Sequence, residues 1–381
     1  MYQRLLSLPQ LPETTFFLWG PRQVGKSSLL KIRYPDAPVI DLLKTDEFSL
    51  YNTEPHKLRE RALAAGWSFI IIDEIQKAPK LLDEVHFLIE NHGMVFGLCG
   101  SSARKVKRGH ANLLGGRALR FEMSGLVSRE LAGGFDLEHL LASSYMPLIF
   151  DSKNPMQHLK SYCNDYLKEE IYSEGLVKDP QPFGRFLEIA ALGDTESLSF
   201  ETVARDCGVS APTVKSYYEI LVDTLLARYL PSYTRRPKRR QVKAPKFYFK
   251  DVGVVNFLSQ RGAVRPKSME WGKAFENWVH HEITTYLEYS QRIETLSYWR
   301  LTTGVEVDFI VGHMRCAIEA KGSYKITADH LKGLRELVKD FPETESRVIV
   351  SMEPHSRQLD DGILILSVED FTNRLWQNTL F

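Results

Sequence analysis

The chain has 381 residues, 43% of them hydrophobic and 25% charged, with a formal net charge of +1. This composition excludes a disordered or low-complexity chain, and it leaves no global field to attract nucleic acid, so any basic site must be local. No apolar run approaches the ~18 residues of a membrane span. The start, MYQRLLSLPQ, lacks an apolar signal core. Cys99, Cys163, Cys207 and Cys316 are scattered without a C-x-x-C pair, which suits a reducing compartment better than a disulfide frame or zinc knuckle. The expected location is the cytoplasm, with no membrane partner, and the length suggests two or three domains.

Phe16 to Leu30, FFLWGPRQVGKSSLL, reads as an apolar strand, a Gly-rich turn and a helix start. Gly20, Gly25, Lys26 and Ser27 fit the phosphate-loop spacing G-x-x-x-x-G-K-[ST], with Pro21, Arg22, Gln23, Val24 and Ser28 completing the nucleotide-binding stretch. The two glycines are expected to take backbone angles that a Cβ forbids, turning successive N–H groups inward around a polyphosphate. The following helix sets its positive dipole end under the same phosphates. Lys26 reaches the β- and γ-phosphates of ATP, and the Ser27 hydroxyl is a ligand for Mg2+.

Phe69 to Glu74, FIIIDE, is the run expected of a buried parallel strand ending in acid. Asp73 would hold Mg2+ through water and Glu74 would polarise the attacking water. The same residues could also cap IQKAPKLLDEVHFLIE, which reads as a helix. Beside the phosphate loop, the acid pair reads as the Walker B element. A third strand, Val95 to Cys99, ends in Gly100-Ser101-Ser102. Either Ser101 or Ser102 could sense the γ-phosphate, and either could instead cap a helix. Leu114-Gly115-Gly116-Arg117 suits a loop presenting Arg117 outward, as an arginine finger towards a neighbouring subunit or as an ordinary surface cation.

GPRQVGKSSLL, IIIDEIQKAP, CGSSARK, LLGGRA and LVSREL, in that order, resemble the AAA+ ATPase module of a bacterial and archaeal family with a C-terminal domain called DUF4143. The resemblance covers nearly the whole chain. It implies a sensor role for the GSS serine, a finger in trans for Arg117, and an inter-element contact for Arg129. It also implies a homo-oligomer, an AAA+ ring such as a hexamer.

Residues 151 to 182 read as connector helices, followed by helices over Phe183–Leu192, Ser199–Cys207 and Ala211–Leu226. Ser199 and Ser210 are N-caps, Gly208-Val209-Ser210 is a tight turn, and Pro212 sits in the first turn of the third helix. A helix, a Gly turn and a helix match the DNA-reading helix-turn-helix, with Ser210, Thr213, Lys215 and Ser216 on the front. Strands at Leu226–Tyr233 and Lys246–Lys250 would frame a wing. Between them runs RRPKRRQVKAPK, in which seven of twelve residues are Lys or Arg: Arg235, Arg236, Lys238, Arg239, Arg240, Lys243 and Lys246. DNA phosphate is the natural target of such a loop, and a solvated connector is the alternative. Tyr233 and Tyr248 either stack on bases or pack.

From residue 266 onwards the pattern is αβββαβ. If a hairpin turns at Gly312–Arg315 with two loop residues, Asp308 lies opposite Glu319 at ~5 Å between Cβ atoms, Glu306 lies opposite Lys321, and Lys321 shares the Glu319 face. Asp308 and Glu319-x-Lys321, with Glu276 on the preceding helix, resemble the metal-binding PD-(D/E)xK nuclease core, although Val307 replaces the usual proline. The ordinary alternative is a surface Glu306–Lys321 pair on a solvated face. The expected architecture is therefore α/β throughout: a P-loop AAA+ parallel-sheet domain (14–150), a winged-helix domain (151–265) and a restriction-endonuclease-like domain (266–381). The expected activity is ATP-driven DNA binding and remodelling or translocation, including on branched DNA. An ATP-gated nuclease and a nucleotide-switched scaffold are the alternatives.

Overall fold

A computed structural model describes residues 2–10, 13–102, 114–167, 177, 179–234, 239–260 and 264–381. Clustering of close contacts divides it into two compact units, Met1–Ser124 with Asp223–Leu225, and Gly125–Val222 with Leu226–Phe381. The second of these units takes in residues 125–150 together with the two later segments read from sequence. The cause lies in buried hydrogen bonds made by residues 125–150. The backbone N–H of Ser128 donates to Glu282, the Tyr145 hydroxyl donates to Asn277, and the Ser144 hydroxyl donates to Asp251. These bonds tie the end of the first segment to the middle and last ones.

The first unit is built on a parallel sheet: β1 (Thr15–Trp19), β2 (Val39–Asp41), β3 (Phe69–Asp73), β4 (Val95–Gly100) and β5 (Ala118–Glu122), in the order β2-β3-β4-β1-β5. All five residues of β1 are buried, and so are the last four of β3. That explains runs of apolar residues without alternation, since a parallel strand is covered on both faces. β4 lies between β1 and β3, so the ends of β1, β4 and β3 bring the phosphate loop, Ser101 and the acid pair into one row. The helix expected directly after Glu74 begins later. A 3-10 turn spans Ile75–Lys77 and the α-helix runs Leu81–His92, because Pro79 cannot donate the N–H a continuous helix needs there. Ahead of β1, Leu6 and Leu8 are buried, and Arg4 donates to the carbonyls of Val24 (2.5 Å) and Ser124 (2.6 Å).

In the second unit, helices span Pro155–Ser161, Pro180–Leu192, Phe200–Cys207 and Ala211–Asp223, and a π-helical turn spans Tyr162–Leu167. Ser199 accepts from the Thr202 N–H and Ser210 from the Thr213 N–H, as expected of N-caps, and Gly208 closes its helix in the left-handed region at φ 71°. A two-stranded antiparallel ribbon follows, β6 (Ala227–Leu230) with β7 (Lys246–Phe249). Four-residue strands do not stand alone in water. Phe247 packs edge-on against Tyr218, and the chain between the two strands bonds to β8 (Leu296–Arg300): Tyr233 N–H to Tyr298 O, and Val242 N–H to Arg300 O.

The C-terminal sheet is mixed. β8, β9 (Glu306–Val311), β10 (Cys316–Lys321), β11 (Ser346–Ser351), β12 (Arg357–Gln358) and β13 (Leu364–Ser367) run in the order β12-β13-β11-β10-β9-β8. β9 and β10 pair Phe309 with Ile318 and Ile310 with Ala317, the register expected of the two-residue turn. The Met269–Tyr289 helix, capped by Ser268, presents Glu276, and the Lys332–Asp340 helix packs on β9 and β10. Among the described residues, no helix is long and apolar enough to cross a membrane.

Candidate functional site

The turn after β1 has the shape that the phosphate-loop spacing demands, although its two glycines serve different ends. Gly25 sits at φ 101°, as does Gln23 at 64°, in the region that favours glycine. At Gly20 the constraint is space: a Cβ there would stand 2.3 Å from the Met123 carbonyl oxygen. The eight-residue helix Lys26–Arg33 opens on Gly25 with no side-chain cap and no acid in its first turn. Its leading N–H groups and positive dipole end are therefore available to an anion. Pro21 and Val24 are buried, whereas Gln23, Ser27 and Ser28 are exposed and Arg22 is half-buried. Lys26 is only 6% exposed, and its ammonium donates to the Gly20 and Pro21 carbonyls at 2.8 Å each. Those are weak partners that a phosphate can replace.

The Ser27 hydroxyl donates to Asp73 Oδ2 at 2.7 Å, across 46 positions of sequence. The residues expected to share Mg2+ are thus already in contact, and both present oxygen, as a hard cation requires. Glu74 takes φ 59° at the end of β3, and its carboxylate accepts from Ser101 Oγ (3.1 Å) and from the Gln76 amide, which also donates to Ser101 Oγ (2.9 Å). Of the two serines left open by the sequence, Ser101 is the one joined to Glu74. Ser102 is also buried. Gln76 was not anticipated, and its place two residues after Glu74 is the only sequence signal that could have found it. Burial pushes the Cys99 thiol well above its ordinary range, so it is an inert core residue. Arg117 is exposed and forms an ion pair with Glu90. Arg129 is exposed on the short Ser128–Leu131 helix.

In the second unit, Ser210, Lys215 and Ser216 are exposed and Thr213 is half-buried. Of the basic loop, Arg235, Arg236 and Lys238 lie outside the described residues, and Arg240 and Lys243 are exposed. The other two are not available to phosphate. Arg239 is held by Asp340 (2.9 Å) and Glu336 (2.9 Å). Lys246 is buried at 2% exposure. Both tyrosines pack: Tyr233 edge-on against Phe341, and Tyr248 stacked on His280.

Lys246 enters the acid cluster that resembles a nuclease core. Its ammonium lies 2.8 Å from Glu276 Oε1, in contact with Glu306, and 3.5 Å from Asp308 Oδ1. Tyr248, two residues on and on the same face of β7, donates to Glu276 at 2.7 Å. Lys321 does not pair with Glu306 across the strands. It lies 2.6 Å from Glu319 and 3.9 Å from Asp308, while Glu306 bonds Lys246 and Arg300. This face is not solvated, because Asp308 and Glu319 are 5% and 6% exposed.

Burial would favour the neutral amine of Lys246, but Glu276, Tyr248, Asp308 and Glu306 outweigh it and hold its pKa well above the ordinary lysine value. Burial, reinforced by Asp308, raises Glu319 to about 8, and burial raises Glu276 to about 7. At Asp308 burial pushes upward, but Lys321 and Lys246 prevail and hold it below the usual carboxylate range. Among the described residues, no group of three or more His, Cys, Asp or Glu side chains is arranged to hold a metal ion.

Comparison with known proteins gives a match to an AAA domain over residues 13–132, to the domain of unknown function DUF8612 over 134–265, and to DUF4143 over 271–371. Two curated relatives, the uncharacterized proteins Mb2031c of Mycobacterium bovis and Rv2008c of Mycobacterium tuberculosis, are each 26% identical over 305 residues, 77% of this chain. The chain spans 66% of the length of these relatives. Solved structures with similarity include the Aeropyrum pernix ORC1 protein in complex with DNA, at 12% identity over 66% of this chain and 87% of that one, with a TM-score of 0.27. The ADP form of the Aeropyrum pernix ORC2 protein aligns at 11% identity over 65% and 88%, with a TM-score of 0.33. Scores this low carry no argument about this chain. The phosphate loop, the acid-ended strand and the matched models agree: the chain joins an N-terminal AAA domain to a C-terminal DUF4143 domain.

Proposed function

We propose that the chain is an ATPase whose nucleotide cycle acts on DNA through the helix-turn-helix of the second unit. The observation that carries the ATPase reading is the Ser27–Asp73 contact beside a Glu74 held by Ser101 and Gln76. The turn from Gly20 to Ser28 would receive the triphosphate, and the ammonium of Lys26 would leave the loop carbonyls for the β- and γ-oxygens. Ser27, with Asp73 through water, would hold Mg2+, which neutralises charge on the phosphates during transfer. Glu74 would accept the proton of the attacking water, with Ser101 fixing the direction of its carboxylate.

Arg117 would act across a subunit boundary in an oligomer. Its present partner does not prevent this, because Arg117 and Glu90 are both exposed and an exposed pair contributes about 0–1 kcal/mol. DNA contact would come from Ser210, Thr213, Lys215, Ser216, Arg240 and Lys243, together with the basic residues Arg235, Arg236 and Lys238. The test is ATP hydrolysis measured alone and with duplex, single-stranded and four-way DNA. The reading expects Mg2+-dependent turnover that rises with one of these DNAs and disappears in Glu74→Gln while ATP binding persists. Normal turnover in that variant would remove Glu74 from the reaction.

A second reading has its own observation. The chain between β6 and β7 is bonded to β8, and two of the basic run's cations are spent inside the unit. Such a ribbon also suits a scaffold that transmits a nucleotide signal to a protein partner. DNA affinity that is flat between ~50 and ~200 mM salt, or absent, would favour it.

A further inference from the structure

We propose that Lys246 is the resident cation of the C-terminal acid cluster, standing where a divalent ion would be expected and closing that position to metal. The proposal does not depend on the ATPase reading, since every residue in it belongs to the second unit. It contradicts the expectation, drawn from the PD-(D/E)xK likeness, of a magnesium site at Asp308 and Glu319.

An ammonium has three N–H donors and no acceptor. Around Lys246 stand three carboxylates: Glu276 from the Met269–Tyr289 helix, and Glu306 and Asp308 from alternate positions of β9. The side chain is 3% exposed, so carboxylates, not water, surround its charge. It is delivered as the first residue of β7, paired with Leu230 of β6, and Tyr248 on the same face adds a hydroxyl to Glu276. A buried lysine survives only where such partners compensate its desolvation.

The remaining oxygens do not make a site for magnesium. Asp308 Oδ1 faces Lys246, and Asp308 Oδ2 accepts from the Ala320 N–H at 2.9 Å. Glu319 Oε1 is taken by Lys321 at 2.6 Å. Among the described oxygens of this cluster, the buried one left without a partner is Glu319 Oε2. Magnesium keeps several waters but binds through one or two free carboxylates, and each carboxylate here is already paired with an ammonium. This pairing marks the cluster as an acid site whose cation is supplied by the chain itself.

The experiment is a Mn2+ titration of the full chain without nucleotide, followed by electron paramagnetic resonance of free Mn2+. Wild type, Glu319→Gln, Lys246→Met and the double variant Lys246→Met/Glu319→Gln are compared. Wild type and Glu319→Gln should give the same isotherm, because the cluster takes no divalent ion in either. Lys246→Met should gain a site at least tenfold tighter than any in wild type, and the double variant should lose it again. A wild-type site that disappears in Glu319→Gln would overturn the proposal. So would a folded Lys246→Met, judged by circular dichroism, whose isotherm matches wild type. If Lys246→Met does not fold, the comparison of wild type with Glu319→Gln still decides, in the same directions.

Discussion

The chain contains two places where acids gather beside a lysine, and they are built to opposite ends. At the turn after β1, Lys26 donates to backbone carbonyls, and the Asp73 carboxylate meets a serine hydroxyl, the Cys99 thiol and the Glu74 N–H. All three partners are neutral donors, so its charge is left to an arriving cation. At the β9–β10 end of the second unit, two lysines already stand among Glu276, Glu306, Asp308 and Glu319. The same residue types give a binding site in one case and a closed ionic cluster in the other. What differs is whether the lysine's nearest oxygens belong to amides or to carboxylates.

Exchanging each of the residues that make the difference tests this contrast. The largest effect is expected from Lys26→Ala and Glu74→Gln. Lys26→Ala should abolish measurable ATP affinity in a calorimetric titration. Glu74→Gln should keep affinity and lose turnover by about 10²–10⁴-fold, the range of a positioned general base. Loss of both binding and turnover in Glu74→Gln would assign the residue to the fold instead. Next, Lys246→Met should cost about 3–5 kcal/mol of unfolding free energy by denaturant titration, since three carboxylates lose their buried counter-charge. Lys26→Met, which strands no carboxylate, should cost far less, and equal losses would erase the distinction between the two lysines.

The pH dependence of stability sharpens the same point. Glu319 is raised to about 8 and Glu276 to about 7, against an ordinary value near 4.5. An acid whose folded pKa is raised contributes stability that is complete below its unfolded value and lost as pH climbs through its folded one. The second unit should therefore lose stability as pH rises from roughly 4.5 towards 8, and Glu319→Gln should remove part of that slope. A wild-type curve that rises over that window would contradict the protonation of Glu319. The smallest effect concerns DNA: Lys215→Ala should weaken binding several-fold and reduce the salt slope by about 1. An unchanged slope would take Lys215 out of the interface.

Much of the first site was legible because its chemistry is local in sequence. The Gly20–Ser27 spacing, the apolar run of β1 and the acid-ended run of β3 each announce themselves within ten residues, and buried parallel strands leave unbroken apolar stretches. The β9–β10 register was legible for the same reason, although the turn takes the four residues 312–315, closed by the Val311–Cys316 pair.

What could not be read depends on long-range placement. Lys246 looks like the last cation of a basic run, and nothing nearby says that β7 will carry it under Glu276, Glu306 and Asp308. Arg239 is misread in the same way, because Glu336 and Asp340 lie about a hundred positions away. Arg4 falls outside the motif it supports and reaches Val24 only through the fold. The attachment of residues 125–150 to the later segments was equally hidden, because it rests on buried bonds from Ser128, Ser144 and Tyr145 to residues more than a hundred positions on.

The contrast between the two acid sites is tested most directly by counting Mn2+ bound per chain in the presence of a non-hydrolysable ATP analogue. The account predicts one ion, lost in Asp73→Asn and retained in Asp308→Asn. Two ions in wild type, or a single ion that survives Asp73→Asn and vanishes in Asp308→Asn, would contradict it.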